Sequence, residues 1–546
     1  MHCKKGKLLA TFIITMLVLV IIPFSASSLS ATGVSDECYG FIISVDQHQS
    51  TELQMEISKL VNELLRNEVE VYWVTNQIYV SSKTLDENSS IANNYFEKGS
   101  YLIPFVDNQS INEKATNIAY SYNAPTYILK QPIDNLQVYK LVEPKIAYHN
   151  GPWMITHMYF TPLIKGGFET YDFLSWDEIP EKLNSEEYNV FIWGASYGSI
   201  ERLYNDFFER FKYPKAFQTI RNFVADGGSF VGSCAASTQT MLGSRLPIYK
   251  LKPYFPEIQS RLTLSFTECK FMHGKQGIGK ITVEIIDTEC PISYGLPKYV
   301  TTYYSGAGLF LKPKDNTKIV AVMKEMYEDE TDSKNIGFKD LLEQFSIGKG
   351  VWATTDFGDG RVIAFSDHPE WAQYNFTYPW GYEQMGNNSR IAYNSIFYAC
   401  SNGPINVNIN TNASLYEPAI SQIEESSNVN SPPNKPKLNV FKSIFKSRIV
   451  RPNTKVLVYA QTDDPDDDLF FYKIWTDDDS ELNNYTCRNL FFASGQNMAF
   501  NHIYNKTGRY YMKVKVIDIH GTESEWSDPL EIIVTKTPFI SRIFNR

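Results

Sequence analysis

The amino-acid sequence predicts an α/β protein: a mostly parallel sheet with flanking helices, a small α/β unit ahead of it and an all-β sandwich behind it. Three observations carry this. Between about Leu141 and Cys400, short apolar stretches such as "YNVFIWGAS" and "SFVGS" alternate with amphipathic segments, the pattern of buried parallel strands joined by crossover helices. After Cys400 the chain becomes rich in Asn, Ser and Pro, in "SNGPINVNINTNAS" and "SSNVNSPPNKPK", and reads as a linker. Beyond it Met512, Val514 and Val516 alternate with Lys513 and Lys515, the two-residue period of a half-buried strand.

Taken in order, the first segment is "MHCKKGKLLATFIITMLVLVIIPFSASSLSA", residues 1–31. Lys4, Lys5 and Lys7 precede an uncharged apolar run from Leu8 to Phe24, then small residues, the layout of a secretory signal. The run of about 17 residues is close to the roughly 20 that span a bilayer, so residues 8–24 serve either as a cleaved leader or as a retained membrane anchor. Both place the rest of the chain outside the cell, secreted or surface-bound. Sequons at Asn88, Asn108, Asn375, Asn387, Asn412, Asn484 and Asn505 agree with an exported glycoprotein, since glycan acceptors sit on exposed loops.

Residues 36–140 read as the small α/β unit: a strand "YGFIISV", a helix with Leu53, Ile57, Leu60, Val61 and Leu64 at helical spacing, then "VEVYWVT" and "KGSYLIPF". This unit is expected to complete the main sheet or form a partial wing of the same kind. Residues 141–400 carry the main domain, with "PKIAYHNG" first and the helix "YPKAFQTIRNFVADGG" later. There Ala216, Phe217, Ile220, Phe223 and Val224 share a face, Pro214 opens the helix and Gly227 and Gly228 close it. "VWATTDFGDGRVIAF" reads as two strands around a turn at Asp359 and Gly360. Residues 401–437 are the linker, 438–536 the β-sandwich and 537–546 a tail. No internal repeat appears.

At 546 residues, three or so domains are expected. With 43% hydrophobic residues, 35 Tyr and 34 Phe, the chain can bury enough apolar surface to fold. Its net charge of −10, with no cluster of Lys and Arg, excludes a general nucleic-acid binder. Of seven cysteines, Cys3 lies in the leader; the remaining six permit three disulfides unless Cys234 stays free, and Cys269–Cys290 is the expected bridge. No two cysteines have zinc-site spacing, and no cofactor is implied. Asp464, Asp466 and Asp468 in "TDDPDDD" could gather oxygen ligands for calcium. The run lacks the glycine of an EF-hand loop, so a solvated acidic turn is the expectation and no metal is assigned.

The chemistry centres on "GGSFVGSCAAST". A strand that ends in a nucleophile and passes at once into a helix needs a sharp turn with small neighbours. Gly232, Ala235 and Ala236 meet that need around Cys234. Such a turn points the sulfur out of the sheet's carboxyl edge and aims the next amides at it, favouring a thiolate. A lone G-x-C is expected about 0.4 times by chance in such a chain, so it decides little. "GRVIAFSDHPEW" adds His368 and Glu370 just past a strand; an H-P-E triplet is expected only about 0.02 times. In an extended path residues i and i+2 face the same way, so Glu370 can orient His368 and His368 can take the thiol proton.

On these residues, over about Lys145 to Cys400, the chain resembles the class I glutamine amidotransferase-like superfamily, and within it the domain at the N-terminus of some biotin-protein ligases. "KIAYHNG", "VFIWGASYGS", "FVGSCAAS", "TYYSGAG" and "GRVIAFSDHPE" carry the resemblance. It implies a flavodoxin-like sheet and a Cys-His-Glu triad of Cys234, His368 and Glu370, with oxyanion donors at Gly194, Ala195 and Ala235. Trp193-Gly194-Ala195 stands where the family has Pro-Gly-Gly, and Ala236 where a glycine is common; Ala236 is tolerable if its φ is negative. Tyr303, Tyr304 and Gly306 are candidates to line a substrate cleft. The last 90 or so residues, with "HIYNKTGRYYMKVKVIDIHGTESEWSDPL", resemble the PKD type of Ig-like domain common in archaeal and bacterial surface proteins.

Two functions fit. One is an exported cysteine hydrolase cleaving an amide or peptide bond through an acyl-thioester. The other is a catalytically inactive surface ligand-binding or adhesion module, its C-terminal domain acting as spacer or as the part that meets the cell surface or its glycans. No synthetase domain that would consume ammonia follows the main domain, so glutamine is not carried over as substrate.

Overall fold

The elbow strand Ser229–Ser233 is buried throughout and lies between two parallel partners, Val190–Trp193 and Gly360–Phe365. The computed structural model describes residues 37–536 apart from 86–89, 150–159, 195–213, 243–263, 274–278, 305–306, 315, 327–345, 371–388, 416–429, 441–448, 467, 469, 478–491, 493, 496 and 519–520. The architecture is mixed α/β, with parallel and antiparallel sheets and flanking helices. In the sheet that carries the thiol, Tyr171–Leu174, Ile146–His149, Val190–Trp193, Ser229–Ser233 and Gly360–Phe365 run parallel in that spatial order. From Gly350–Phe357 onward the pairing is antiparallel over most of the remaining strands. The twelve-stranded sheet is therefore less parallel than the sequence predicts. A continuous apolar run reads the same in either pairing when both faces are covered.

Helix Pro214–Ala225 covers one face. Its Ala216, Phe217, Ile220, Phe223 and Val224 share a buried cluster with Phe191, Phe230 and Val362, each large side chain contributing on the order of 2 kcal/mol by burial. The helix ends at Gly227, φ +103°, a conformation that costs a residue with a Cβ. The hairpin after it turns at Gly358–Asp359, one residue earlier than predicted, because Phe357 pairs with Gly360. A Cβ on Gly360 would stand 1.9 Å from the Gly228 carbonyl oxygen, so glycine is needed there for close approach rather than for the turn.

The N-terminal unit does not complete this sheet. It forms its own eight-stranded sheet, antiparallel throughout, with helices Thr51–Arg66 and Gln109–Ser121. Ser50 caps the first helix through Leu53 N at 3.2 Å, and Asn108 caps the second through Ser110 N at 3.1 Å. Its edge strand is Asn402–Ile409, paired with Ile133–Lys140. That strand lies in the expected linker. Ile405, Val407 and Ile409 carry a two-residue period that the surrounding Asn and Pro obscure.

In the C-terminal region Lys437–Val440, Lys455–Gln461 and Asn497–Ile503 form one sheet. Ile449–Val450, Leu530–Val534, Gly508–Asp518 and Phe470–Thr476 form another. Met512, Val514 and Val516 are buried while Lys513 and Lys515 are only half-buried.

The Cys269–Cys290 bridge does not form. None of Cys38, Cys234, Cys269, Cys290 and Cys400 is in a disulfide; Cys487 lies outside the described residues. Cys269 packs with Met241, Phe310, Ala353 and Ala364, whereas Cys290 packs in a different cluster, so nearness in sequence does not bring the sulfurs together. Among the sequons, Asn108, Asn412 and Asn505 are exposed, and Asn88, Asn375, Asn387 and Asn484 lie outside the described residues. No helix among the described residues is long and apolar enough to cross a membrane; residues 8–24 lie outside them.

Candidate active site

The strand Ser229–Ser233 delivers Cys234 to the carboxyl edge of the parallel strands, and helix Ala235–Thr240 starts on the next residue. Cys234 adopts φ 52°, ψ −116°, a sparsely populated conformation for a residue with a Cβ. Its amide donates to the Phe365 carbonyl at 2.8 Å, which ties the turn to the neighbouring strand. A Cβ at Gly232 would meet the Phe230 ring at 2.6 Å and the Ala236 Cβ at 3.3 Å; the small residues around the thiol are therefore a packing requirement. Ala236 sits in the helix and is not among the residues with positive φ, which satisfies the condition on its replacing glycine.

Because Ser233 pairs in register with Phe365 on the parallel strand, the residues that follow Phe365 emerge beside Cys234. The His368 amide donates to the Tyr303 carbonyl at 2.8 Å. Its Nδ1 stands 2.9 Å from Glu370 Oε1, and its ring interacts electrostatically with Cys234. The path from His368 to Glu370 is a bridge followed by a 3₁₀ turn, not the extended segment predicted, yet the side chains meet. Ser233 donates its hydroxyl to the same Glu370 oxygen at 2.9 Å. His368, Glu370 and Cys234 are each at most 1% exposed.

Burial disfavours a charged imidazole, but the negative charges of Cys234 and then Glu370, with the hydrogen bond to Glu370, outweigh it and hold His368 above its ordinary value.

The other sequence candidates fall in different places. Gly194 is buried at the end of Val190–Trp193, on the strand beside the elbow strand, and Ala235 opens the helix after Cys234. Ala195 and Gly306 lie outside the described residues. Tyr303 and Tyr304 are buried, 4% and 1% exposed. The Tyr304 hydroxyl donates to the Ala307 carbonyl, while Tyr303 contributes its backbone to holding His368. In the acidic turn, one ligand atom from each of Asp464, Asp466 and Asp468 lies within 4.8 Å of the others. Asp464 is buried, not solvated as expected, its Oδ1 accepting the amides of Asp466 at 2.9 Å and Asp468 at 3.2 Å.

Sequence reasoning passed over Ser233 and Asp367. Asp367 is fully buried and accepts hydrogen bonds from the Thr302 hydroxyl at 2.5 Å and from Trp352 Nε1 at 2.9 Å. The available signal was an acid set directly before the H-P-E triplet.

No protein-family model matches the chain, and no curated protein matches it. Among solved structures, partial similarity appears to a PKD domain of an M14-like peptidase from a Thermoplasmatales archaeon, at 29% identity and TM-score 0.17, covering 20% of this chain and 99% of that one. A second similarity is to a protein described as a GMP synthase subunit from Thermoplasma acidophilum, at 13% identity and TM-score 0.28, covering 46% of this chain and 94% of that one. A third is to a β-galactosidase from Bacillus circulans sp. alkalophilus, at 11% identity and TM-score 0.26, covering 68% of this chain and 41% of that one. At these scores none carries an argument about activity.

Proposed function

We propose that this chain is an exported cysteine-dependent hydrolase of amide or peptide bonds. Its main domain would be of the class I glutamine amidotransferase-like kind and its C-terminal region a PKD-type spacer facing the cell surface. The observation that supports the chemistry is the buried imidazole of His368, which feels the charge of Cys234 and is hydrogen-bonded through Nδ1 at 2.9 Å to Glu370. In this reading the Cys234 thiolate attacks the amide carbonyl, forming a C–S bond. The developing oxyanion is met by the amides of Gly194 and Ala235. Collapse expels the amine, which takes its proton from the His368 imidazolium. Water, giving a proton to the now neutral imidazole, cleaves the thioester, releases the acid and restores the ion pair.

The test is alkylation of the purified exported region with iodoacetamide, mapped by mass spectrometry. Cys234 should react fastest, with an apparent pKa well below the unperturbed ~8.5, and His368→Ala should abolish the enhancement. A screen of amides and short peptides, with Cys234→Ala as control, then identifies the substrate. A Cys234 no more reactive than Cys290 defeats the hydrolase and leaves a ligand-binding surface module.

A further inference from the structure

The site holds a second buried acid that the hydrolytic steps do not use. Nδ1 of His368 is already served by Glu370, yet Asp367, the preceding residue, is 0% exposed. Three strands converge on the short turn that contains it. Ser366 donates its amide to Val351 O at 2.7 Å and its hydroxyl to Gly308 O at 2.5 Å. Asp367 accepts from Thr302 and Trp352, and the His368 amide donates to Tyr303 O at 2.8 Å. Residue 366 is thus anchored by Gly350–Phe357 and Gly308–Leu311, residue 367 by Tyr299–Tyr304 and Gly350–Phe357, and residue 368 by Tyr299–Tyr304. At Asp367 the anchor is its own side chain, and both donors suit a carboxylate, which accepts at each oxygen.

Resting on the reading of Cys234 and His368 as a reactive pair, we propose that Asp367 is a positioning residue of this site. Its ionised carboxyl, held by Thr302 and Trp352, pins the turn that sets His368 against Cys234, and its charge favours the imidazolium. The titratable groups that interact with its charge are Tyr304 on Tyr299–Tyr304 and His368 on its own segment. Tyr304 is kept neutral first by burial, then by the charges of Cys234 and Asp367, which raise it well above its ordinary value. Burial raises Asp367 to about 7, against the hydrogen bonds of Thr302 and Trp352 and the charge on His368, which favour ionisation. Protonating it therefore weakens the pair in the neutral range.

The test measures Cys234 alkylation by iodoacetamide from pH 5 to 9 in the full chain and in Asp367→Ala, Asp367→Asn and Thr302→Val, with folding checked by circular dichroism. The parent should show an inflection near pH 7. Asp367→Ala should alkylate at least tenfold more slowly at pH 8. Asp367→Asn can still accept from Trp352 and donate to Thr302, so it should fall between the two and lack the inflection. Thr302→Val removes a bond that favours the carboxylate and should move the inflection upward. A folded Asp367→Ala with the parental rate and profile overturns the proposal; if that variant does not fold, an unchanged Thr302→Val profile overturns it. A parent whose Cys234 is unreactive defeats the hydrolase reading itself and this inference with it.

Discussion

Nδ1 of His368 and Oε1 of Glu370 stand 2.9 Å apart with both side chains fully buried. A contact of this kind fixes which ring nitrogen meets the carboxylate and so orients the imidazole. Replacing Glu370 by Gln keeps an acceptor for Nδ1 but removes the charge that helps hold the imidazole protonated. Cys234 should then titrate closer to the unperturbed ~8.5, and its alkylation at pH 7 should fall about tenfold. An unchanged rate would mean that Glu370 orients nothing of consequence.

The remaining buried thiols should behave oppositely. Burial pushes Cys269 and Cys290 up to about 12 and Cys400 higher still, so the thiolate fraction at pH 8 is very small. In the native protein these three should alkylate more than a hundredfold more slowly than after unfolding in urea. Mass mapping that found Cys290 labelled early would contradict the packing described.

Asp367 links stability to pH. Its folded value, about 7, lies above the ordinary 3.8, so its contribution is complete below about 3.8 and is lost as the pH rises through about 7. Asp367→Asn has no such loss. The melting temperature of the variant relative to the parent should therefore climb by several degrees between pH 4 and pH 8. A constant difference over that range would show that Asp367 ionises no less readily when buried.

The elbow should be intolerant of a single methyl group. Gly232→Ala places a Cβ 2.6 Å from the Phe230 ring and 3.3 Å from the Ala236 Cβ, at a cost of about 1–3 kcal/mol. The expected readout is a lowered melting temperature together with loss of fast alkylation at Cys234, because the strand must shift where it presents the sulfur. Parental values of both would remove the packing argument for the glycine.

Part of this molecule could be read from the chain alone, and the reason is local. Helix Pro214–Ala225 announces itself through a 3.6-residue apolar spacing between a proline and two glycines, and Gly508–Asp518 through strict alternation; each signal depends only on near neighbours. The chemistry of the elbow is likewise local, since a sharp strand-to-helix turn demands small residues around Cys234 whatever surrounds it. Pairing is a different matter. Whether an apolar strand lies parallel or antiparallel, and that Asn402–Ile409 joins the N-terminal sheet across more than 260 residues of chain to pair with Ile133–Lys140, depends on which edge is free once everything else has packed. The same holds for the site. The sequence by itself determined which residues could act: a thiol at a turn and an H-P-E triplet. Only the tertiary structure decided that Ser233 and Phe365 share a register that sets those groups side by side. It also decided that Asp367 is walled in with Thr302 and Trp352, since burial and hydrogen-bond partners are properties of three-dimensional neighbours that no single segment encodes.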